Sequence, residues 1–490
     1  MRKIIVGIVV ALLLLSALWA GATHWFAVRT EEQYKAMLER ASEGGQVKSI
    51  RFVNESYHRG FWVSKARTAV TLQHPAMASR EMAPVRFTLD HEIYHGPFPF
   101  GAKSPEGQVR WKPCMAFIET RMVLDPEAQS KLKELFEKIP ELASMRNYTL
   151  IHLNGSGEDH FVIPAFQYTY DDKDGATVDW KGLFLRMDFS ADLKRFNGTV
   201  RMPGLQVSAK DVDLKLQTMQ HTFRMQEGAH GLWLGEAAFD VPNFDFVPKE
   251  ENGDFHTVLV QGLKMSTTAG ASDESITYGL ALEAGEIQID GSRYGPGVFQ
   301  MEIRNLDAAS IVRLQGTANR VEAADPSLSA EALQEKLQAE YLDILAALLK
   351  TSPEVEITRM EFKTPFGDFA GTGKVTVDGD RWKSSPDLSQ LPSALTADVQ
   401  LKAGEDLVKR AVSNIIKGQI LAHGGEGLGK GLAEGLMDTM ASSMAAEQLQ
   451  SLTAQNVLVL DNGVYSLHAT FDDGQTVLNG RPLQLQDFMQ

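Results

Sequence analysis

The chain has 490 residues, with 63 acidic against 48 basic side chains and a formal net charge of −15. That length exceeds a single compact core and points to two or three domains. The charge argues against nucleic acid or anionic headgroups as main partners. The single cysteine, Cys114, excludes an intrachain disulfide and reads as a buried small hydrophobe.

Residues 4–22 form an apolar run behind Arg2 and Lys3. A bilayer hydrocarbon core takes roughly 20 apolar helical residues, so the run predicts a transmembrane anchor. The cations on its N-terminal side place the N-terminus in the cytoplasm and send the body across the membrane. Trp19, Trp25 and Phe26 suit the outer interface. The rival is a cleaved signal peptide ending at Ala20-Gly21-Ala22, but the apolar core exceeds the ~7–15 residues usual for one.

A short helix over 30–42 follows, with Tyr34, Met37, Leu38 and Ala41 at helical spacing. Strands are predicted over 50–57 and 62–72 around a turn at Arg59-Gly60. Ser64, Ala66, Thr68, Val70 and Leu72 share one face of the second. Val85, Phe87 and Leu89 mark a third strand, 109–124 is β-rich, and 126–142 reads as an amphipathic helix carrying Leu132, Leu135 and Phe136.

From 147 to about 307 the texture is almost wholly β. Asp172-Lys173-Asp174-Gly175 and Asp290-Gly291 are hairpin turns. Gly-Leu pairs recur at Gly182, Gly204, Gly231 and Gly262, irregularly, as bends in a long antiparallel meander. Such strands alternate, giving one apolar and one wet face. Helices are predicted over 330–350 and 405–422 and again after a glycine-rich break, to about 450. Strands are expected at 355–363, 369–377, 395–401, 457–460, 464–471 and 476–478. The class is α+β, dominated by antiparallel sheet behind an N-terminal transmembrane helix. The expected divisions are an anchor at 1–28, an α+β region at 29–145, a meander at 146–325 and a second α+β region at 326–490.

His91-Glu92-Ile93-Tyr94-His95 matches H-E-x-x-H, which makes a zinc site only on a helix. The preceding alternation predicts a strand here, and Gly96-Pro97 would end a helix at once. A zinc peptidase is therefore the remote alternative. Residues 424–431 resemble a phosphate-binding loop, but Gly431 stands where the metal-binding hydroxyl belongs. Gly427, Gly431 and Gly435 instead fall at i, i+4, i+8 as a side-chain-free helix face, suited to close packing within the chain or between two chains. Leu432, Leu436, Met440 and Met444 form a second stripe. No serine-hydrolase signature occurs, so no catalytic, cofactor or metal residue is assigned.

Tyr57-His58-Arg59-Gly60-Phe61-Trp62-Val63-Ser64-Lys65-Ala66 resembles the hairpin of the YdgA-like bacterial envelope proteins. His95-Gly96-Pro97-Phe98-Pro99 resembles their His-Gly-Pro signature, and Leu478-Asn479-Gly480-Arg481-Pro482 their closing Leu-Asn-Gly motif. The resemblance implies a Gram-negative inner-membrane protein facing the periplasm, with no established activity and so no catalytic residues to carry over. In the residues themselves, Gly60 supplies a turn, Pro97 ends a strand, and His95 caps that turn.

The leading expectation is a membrane-tethered, non-enzymatic periplasmic protein that organises the envelope through protein contacts, with a second copy or another envelope protein as partner. The alternative is a carrier of lipid or another hydrophobic ligand, held in an apolar β-groove.

Overall fold

The structure is a computed structural model describing residues 2–43, 50–72, 85–99, 101–102, 113–124, 136–170, 175–249, 256–272, 275–324, 330–382, 391–423 and 434–483. The chain divides into two compact units, Met1–Glu227 and Gly228–Gln490. The boundaries expected at 145/146 and 325/326 both fall inside these units, and antiparallel ladders bridge them.

The first unit opens with α1 (Arg2–Glu43), one continuous helix. Among the described residues no helix is long and apolar enough to cross a membrane; the side chains of residues 1–12 lie outside them. Strands follow as β1 (Ile50–His58), β2 (Val63–Leu72), β3 (Val85–His95), β4 (Ala116–Leu124), β5 (Arg146–Ile151) and β6 (Gly157–Ile163). Next come β7 (Phe166–Thr169), β8 (Thr177–Trp180), β9 (Leu183–Phe189), β10 (Arg195–Met202), β11 (Leu205–Ser208), β12 (Val212–Leu216) and β13 (Met219–Glu227). Each of β1 to β5 pairs antiparallel with the next, and the ladder continues from β6 to β9, β10 and β13. A side ladder runs β7-β8-β11-β12.

The last four strands of the main ladder, β6, β9, β10 and β13, and the four of the side ladder are four long strands broken along one line. The breaks fall at Pro164-Ala165, Lys181-Gly182, Pro203-Gly204 and Gln217-Thr218. Proline removes a ladder donor, and Gly182 has φ +96°, which glycine alone adopts cheaply. Two of the Gly-Leu pairs seen in sequence therefore mark a crease.

The core of this unit forms where α1 crosses the sheet. Phe26, Tyr34 and Leu38 pack on Ala66, Ile93, Met115, Ala116, Ile118 and Ile151. Strand alternation dictates which residues meet the helix: Ser64, Ala66, Thr68 and Val70 of β2 are buried. Cys114 is buried with Phe117, Tyr148 and Leu150 in a separate cluster. Of the helix expected over 126–142, residues 136–138 are described and are helical. Beyond them Pro140–Ser144 form a 3-10 turn, because Pro140 has no N–H to donate to a continuing α-helix. Leu132 and Leu135 lie outside the described residues.

The second unit holds β14 (Trp233–Pro248), β15 (Val258–Ser272), β16 (Ser275–Ala284), β17 (Glu286–Ile289), β18 (Ser292–Tyr294) and β19 (Gly297–Asp307). A helical hairpin, α2 (Ala308–Ala324) and α3 (Ala330–Leu349), leads to β20 (Glu354–Thr364), β21 (Gly367–Val377) and β22 (Leu395–Gly404). A second hairpin, α4 (Glu405–His423) and α5 (Glu434–Ala454), leads to β23 (Val459–Asp461), β24 (Val464–Asp472), β25 (Gln475–Leu478) and β26 (Arg481–Pro482). The main ladder is antiparallel in the order β14-β15-β16-β19-β20-β21-β22-β24. The first helical hairpin is thus an insertion between two strands that pair with each other, and the second lies between β22 and β23, both of which pair with β24.

Helix α2 occupies residues that carry no helix expectation from their spacing. The alternation stops at Asp307, whose carboxylate accepts from Ser310 N–H at 2.6 Å and caps the helix. Its first turn then packs Ala308, Ile311 and Val312 on Leu232, Ile276 and Tyr278.

Candidate functional site

Two of the sequence motifs meet in the first unit. Gly60 N–H donates to Ser64 Oγ at 3.1 Å, and Ser64 Oγ shares a 2.7 Å hydrogen bond with His95 Nε2. His95 N–H donates to the Trp62 carbonyl at 2.9 Å, and Gly96 N–H to the Met115 carbonyl at 2.7 Å. The Pro97 carbonyl, beyond a cis Gly96–Pro97 bond, accepts from Cys114 N–H at 2.9 Å. Glycine is required twice by close approach. A Cβ at Gly60 would lie 2.0 Å from the Val63 oxygen, and one at Gly96 1.7 Å from the Cys114 oxygen. Arg59 reaches back to Glu31 on α1 at 3.6 Å. Arg59, Gly60, Ser64, His95, Gly96 and Pro97 therefore build one clasp joining α1, β2 and β3.

A second polar chain lies on the same sheet face. The Tyr34 hydroxyl and Thr68 Oγ1 share a 2.5 Å bond, Thr68 Oγ1 meets His91 Nε2 at 3.0 Å, and His91 Nδ1 meets Thr120 Oγ1 at 2.8 Å. Burial pulls both His91 and His95 down to about 4, so both imidazoles are neutral at pH 7. Burial likewise pushes the Tyr57 phenol up to about 12, partly opposed by the neighbouring Ser64 hydroxyl.

A hydroxyl beside an imidazole is the arrangement of an activated nucleophile. Here Ser64 is 0% and His95 1% exposed, and His95 Nδ1 has no partner among the described residues. A catalytic pair needs access for substrate and a group orienting its base. This one closes a turn.

The H-E-x-x-H segment forms the end of strand β3. His91 and His95 share the face toward α1, while Glu92 sits on the opposite face and accepts from the Tyr94 hydroxyl at 3.1 Å. The carboxylate is thus turned away from both rings. Among the described residues no three His, Cys, Asp or Glu side chains are grouped to hold a metal.

The broadest chemical feature is a sheet face. In the second unit one register row reads Phe239, Met265, Leu282, Phe299, Met360, Gly371, Leu401 and Leu467 across eight strands. The next row on that face reads Thr267, Leu280, Met301, Ile357, Gly373, Val399 and Ala469. A third holds Tyr278, Ile303, Val355, Val375, Ala397 and Phe471. None of these large side chains is fully buried; Met265 is 40% and Val355 38% exposed. The reverse face carries Glu302, Glu356, Lys374 and Asp398 in one row. Ion pairs lace it: Arg304 to Glu302, Glu354 and Glu356, and Lys374 to Glu354.

The first unit repeats this division. Phe161, Leu185 and Val200 align on one face, as do Met187 and Phe223, with all five half-buried. On the other face a cleft of about 730 Å³ is lined by Arg146, His160, Val162, Phe184, Arg186 and Arg201, among others. Its volume suits a small ligand, but Arg186 already pairs with Glu158 at 3.4 Å and Arg146 donates to the Tyr148 hydroxyl at 3.2 Å.

A family model described as "Bacterial protein of unknown function (DUF945)" matches residues 1–486. The chain belongs to that family. No curated protein and no solved structure matches it.

This member's remaining motif residues lie in the second unit. Asn479 and Gly480, with φ of +46° and +79°, form the turn between β25 and β26. Asn479 Nδ2 donates to the Asn456 and Val457 carbonyls at 2.8 and 3.0 Å, and its Oδ1 accepts from His468 N–H at 2.9 Å. The side chain therefore ties the exit of α5 to β24.

The glycine face is only partly described: Gly427 and Gly431 lie outside the described residues, as does Leu432. Among the described residues nothing lies within 4 Å of a Cβ placed at Gly435. The seam between α4 and α5 is made instead by Ala441 and Ala445 against Ile416. Leu436, Met440 and Met444, expected to pack, are 51%, 44% and 47% exposed. Both stripes have helical period, so spacing alone left open which one α4 would cover.

Proposed function

We propose that this protein is a membrane-tethered envelope protein that holds the acyl chains of a lipid against the apolar face of its second-unit sheet. The observation carrying this reading is the half-open apolar face, eight strands wide. At about 4.8 Å per strand it spans roughly 34 Å. Single exposed apolar residues need no explanation, but a contiguous patch of this size marks an interaction surface. The ion-paired reverse face solvates the sheet without closing it.

The tether reading is supported by the apolar run at 4–22 behind Arg2 and Lys3. It is supported too by the continuity of α1 through Ala20-Gly21-Ala22, where Thr23 is fully buried and Phe26 is in the core. In this reading the ligand is carried and not transformed. The periplasm is the compartment implied by the anchor's orientation and by the YdgA-like resemblance.

The test is to extract the full chain in mild detergent, analyse bound lipid by mass spectrometry, and compare with Leu282→Glu/Met360→Glu. Wild-type protein should retain lipid in fixed ratio, and the double variant should lose it. Wild-type protein free of lipid refutes the reading.

A second reading, contribution to envelope organisation through protein contacts, is favoured by the exposed Leu436, Met440 and Met444 beside open Gly435. It expects Gly435→Leu to change the mass of the detergent-solubilised particle in light scattering; an unchanged mass removes it.

A further inference from the structure

The clasp holds two loops side by side, and both end in exposed aromatic rings. Phe61 and Trp62, at the β1–β2 turn, are 42% and 44% exposed, and Phe98, just past the cis proline, is 39% exposed. Large aromatics at loop tips cost solubility unless something covers them. The Trp62 ring lies 4.4 Å from that of Trp19 on α1, and Phe61 meets Trp62 edge-on at 4.6 Å. Trp25, one helical face away, is 56% exposed. Immediately before Trp19 the helix is bare: Leu13, Leu14, Leu15 and Leu18 are 61–71% exposed. The rings thus gather where the helix stops being apolar and starts being core.

We infer that Phe61, Trp62 and Phe98 form, with Trp19 and Trp25, an aromatic collar that seats the first unit on the outer surface of the same bilayer. The inference rests on the tether reading, since that places lipid around the exposed leucines. Aromatic rings favour the headgroup level, where one edge is apolar and the other wet. The partner is therefore a lipid surface. The motif chemistry follows from this role. Gly60, Ser64, His95 and Gly96 fix the two loops to one another, so their rings stand at one level.

The test uses the full chain reconstituted into vesicles of phosphatidylethanolamine and phosphatidylglycerol. An environment-sensitive dye is attached at Phe61→Cys, Phe98→Cys or, as control, Arg86→Cys, each in a Cys114→Ala background, since the native Cys114 is a free, buried thiol. Arg86 lies nine strand residues from His95, roughly 30 Å away at ~3.3 Å per residue. Headgroup-nitroxide lipid should quench the Phe61 and Phe98 labels severalfold more than the Arg86 label, with their emission shifted to the blue. Equal weak quenching at all three, in protein that still resists alkaline extraction, overturns the collar and leaves the tether standing. Release of the chain by alkaline extraction overturns the tether and the collar with it.

Discussion

Ser64 Oγ and His95 Nε2 stand 2.7 Å apart although 31 positions separate them in the chain. Each belongs to a different motif, and their hydrogen bond makes the two motifs one structural device. Removing one partner leaves the other buried and unpaired, which costs more than the bond itself contributes. Ser64→Ala strands both His95 Nε2 and Gly60 N–H. The expected loss is about 2–3 kcal/mol, read as a lower urea midpoint at unchanged slope.

The two buried histidines give the first unit a pH dependence. An unfolded imidazole takes its proton near 6.5, whereas folded His91 and His95 take theirs at about 4. Above 6.5 neither state is protonated and stability is flat. As pH falls from 6.5 towards 4 the unfolded state binds protons that the folded state refuses, so stability drops, by roughly 3 kcal/mol per histidine at the lower end. Urea titrations across this range check the slope, and His95→Gln should reduce it by the His95 share and leave that of His91, even if the variant is weaker throughout.

Asn479 makes three side-chain hydrogen bonds to backbone groups from a left-handed position. Asn479→Gly keeps the backbone conformation accessible but loses all three bonds, so it should cost about 2–3 kcal/mol. Asn479→Asp should fare worse, because it sets a carboxylate against the carbonyls of Asn456 and Val457. Thermal unfolding of the three proteins decides the order.

An open sheet face and a closed core respond differently to truncation. Ile276 is 1% exposed, and Ile276→Ala should cost about 2–4 kcal/mol. Leu282, on the apolar face, is 37% exposed, and Leu282→Ala should cost under about 1 kcal/mol. Equal large losses at both positions would show that the face is covered.

The seam of the second helical hairpin is set by small residues. Ala441 is fully buried, so Ala441→Leu overpacks the contact with Ile416 and should cost about 1–3 kcal/mol. Gly435→Leu meets no neighbour among the described residues and should leave chemical stability within about 0.5 kcal/mol.

Local pattern was enough for most elements. Period-two alternation marks β1 to β3 and β20 to β22 because strand geometry sends neighbours to opposite faces. It also places His91-Glu92-Ile93-Tyr94-His95 on a strand. Helix α2 escaped because its defining event, the Asp307 cap, lies where alternation simply ends. Spacing does not say which stripe of α5 the neighbouring helix covers, because two stripes of helical period compete on one helix.

The sequence by itself determined the apolar N-terminal run, the α+β class, the polarity of each strand's two faces and the motif residues worth watching. These depend on spacings of a few residues, which backbone geometry converts directly into structure. Only the tertiary structure decided that Ser64 meets His95, that apolar rows align across eight strands, and which face of a helix stays bare. Those outcomes depend on register and on what packs against what. Contacts between distant segments set both, and local spacing does not encode them.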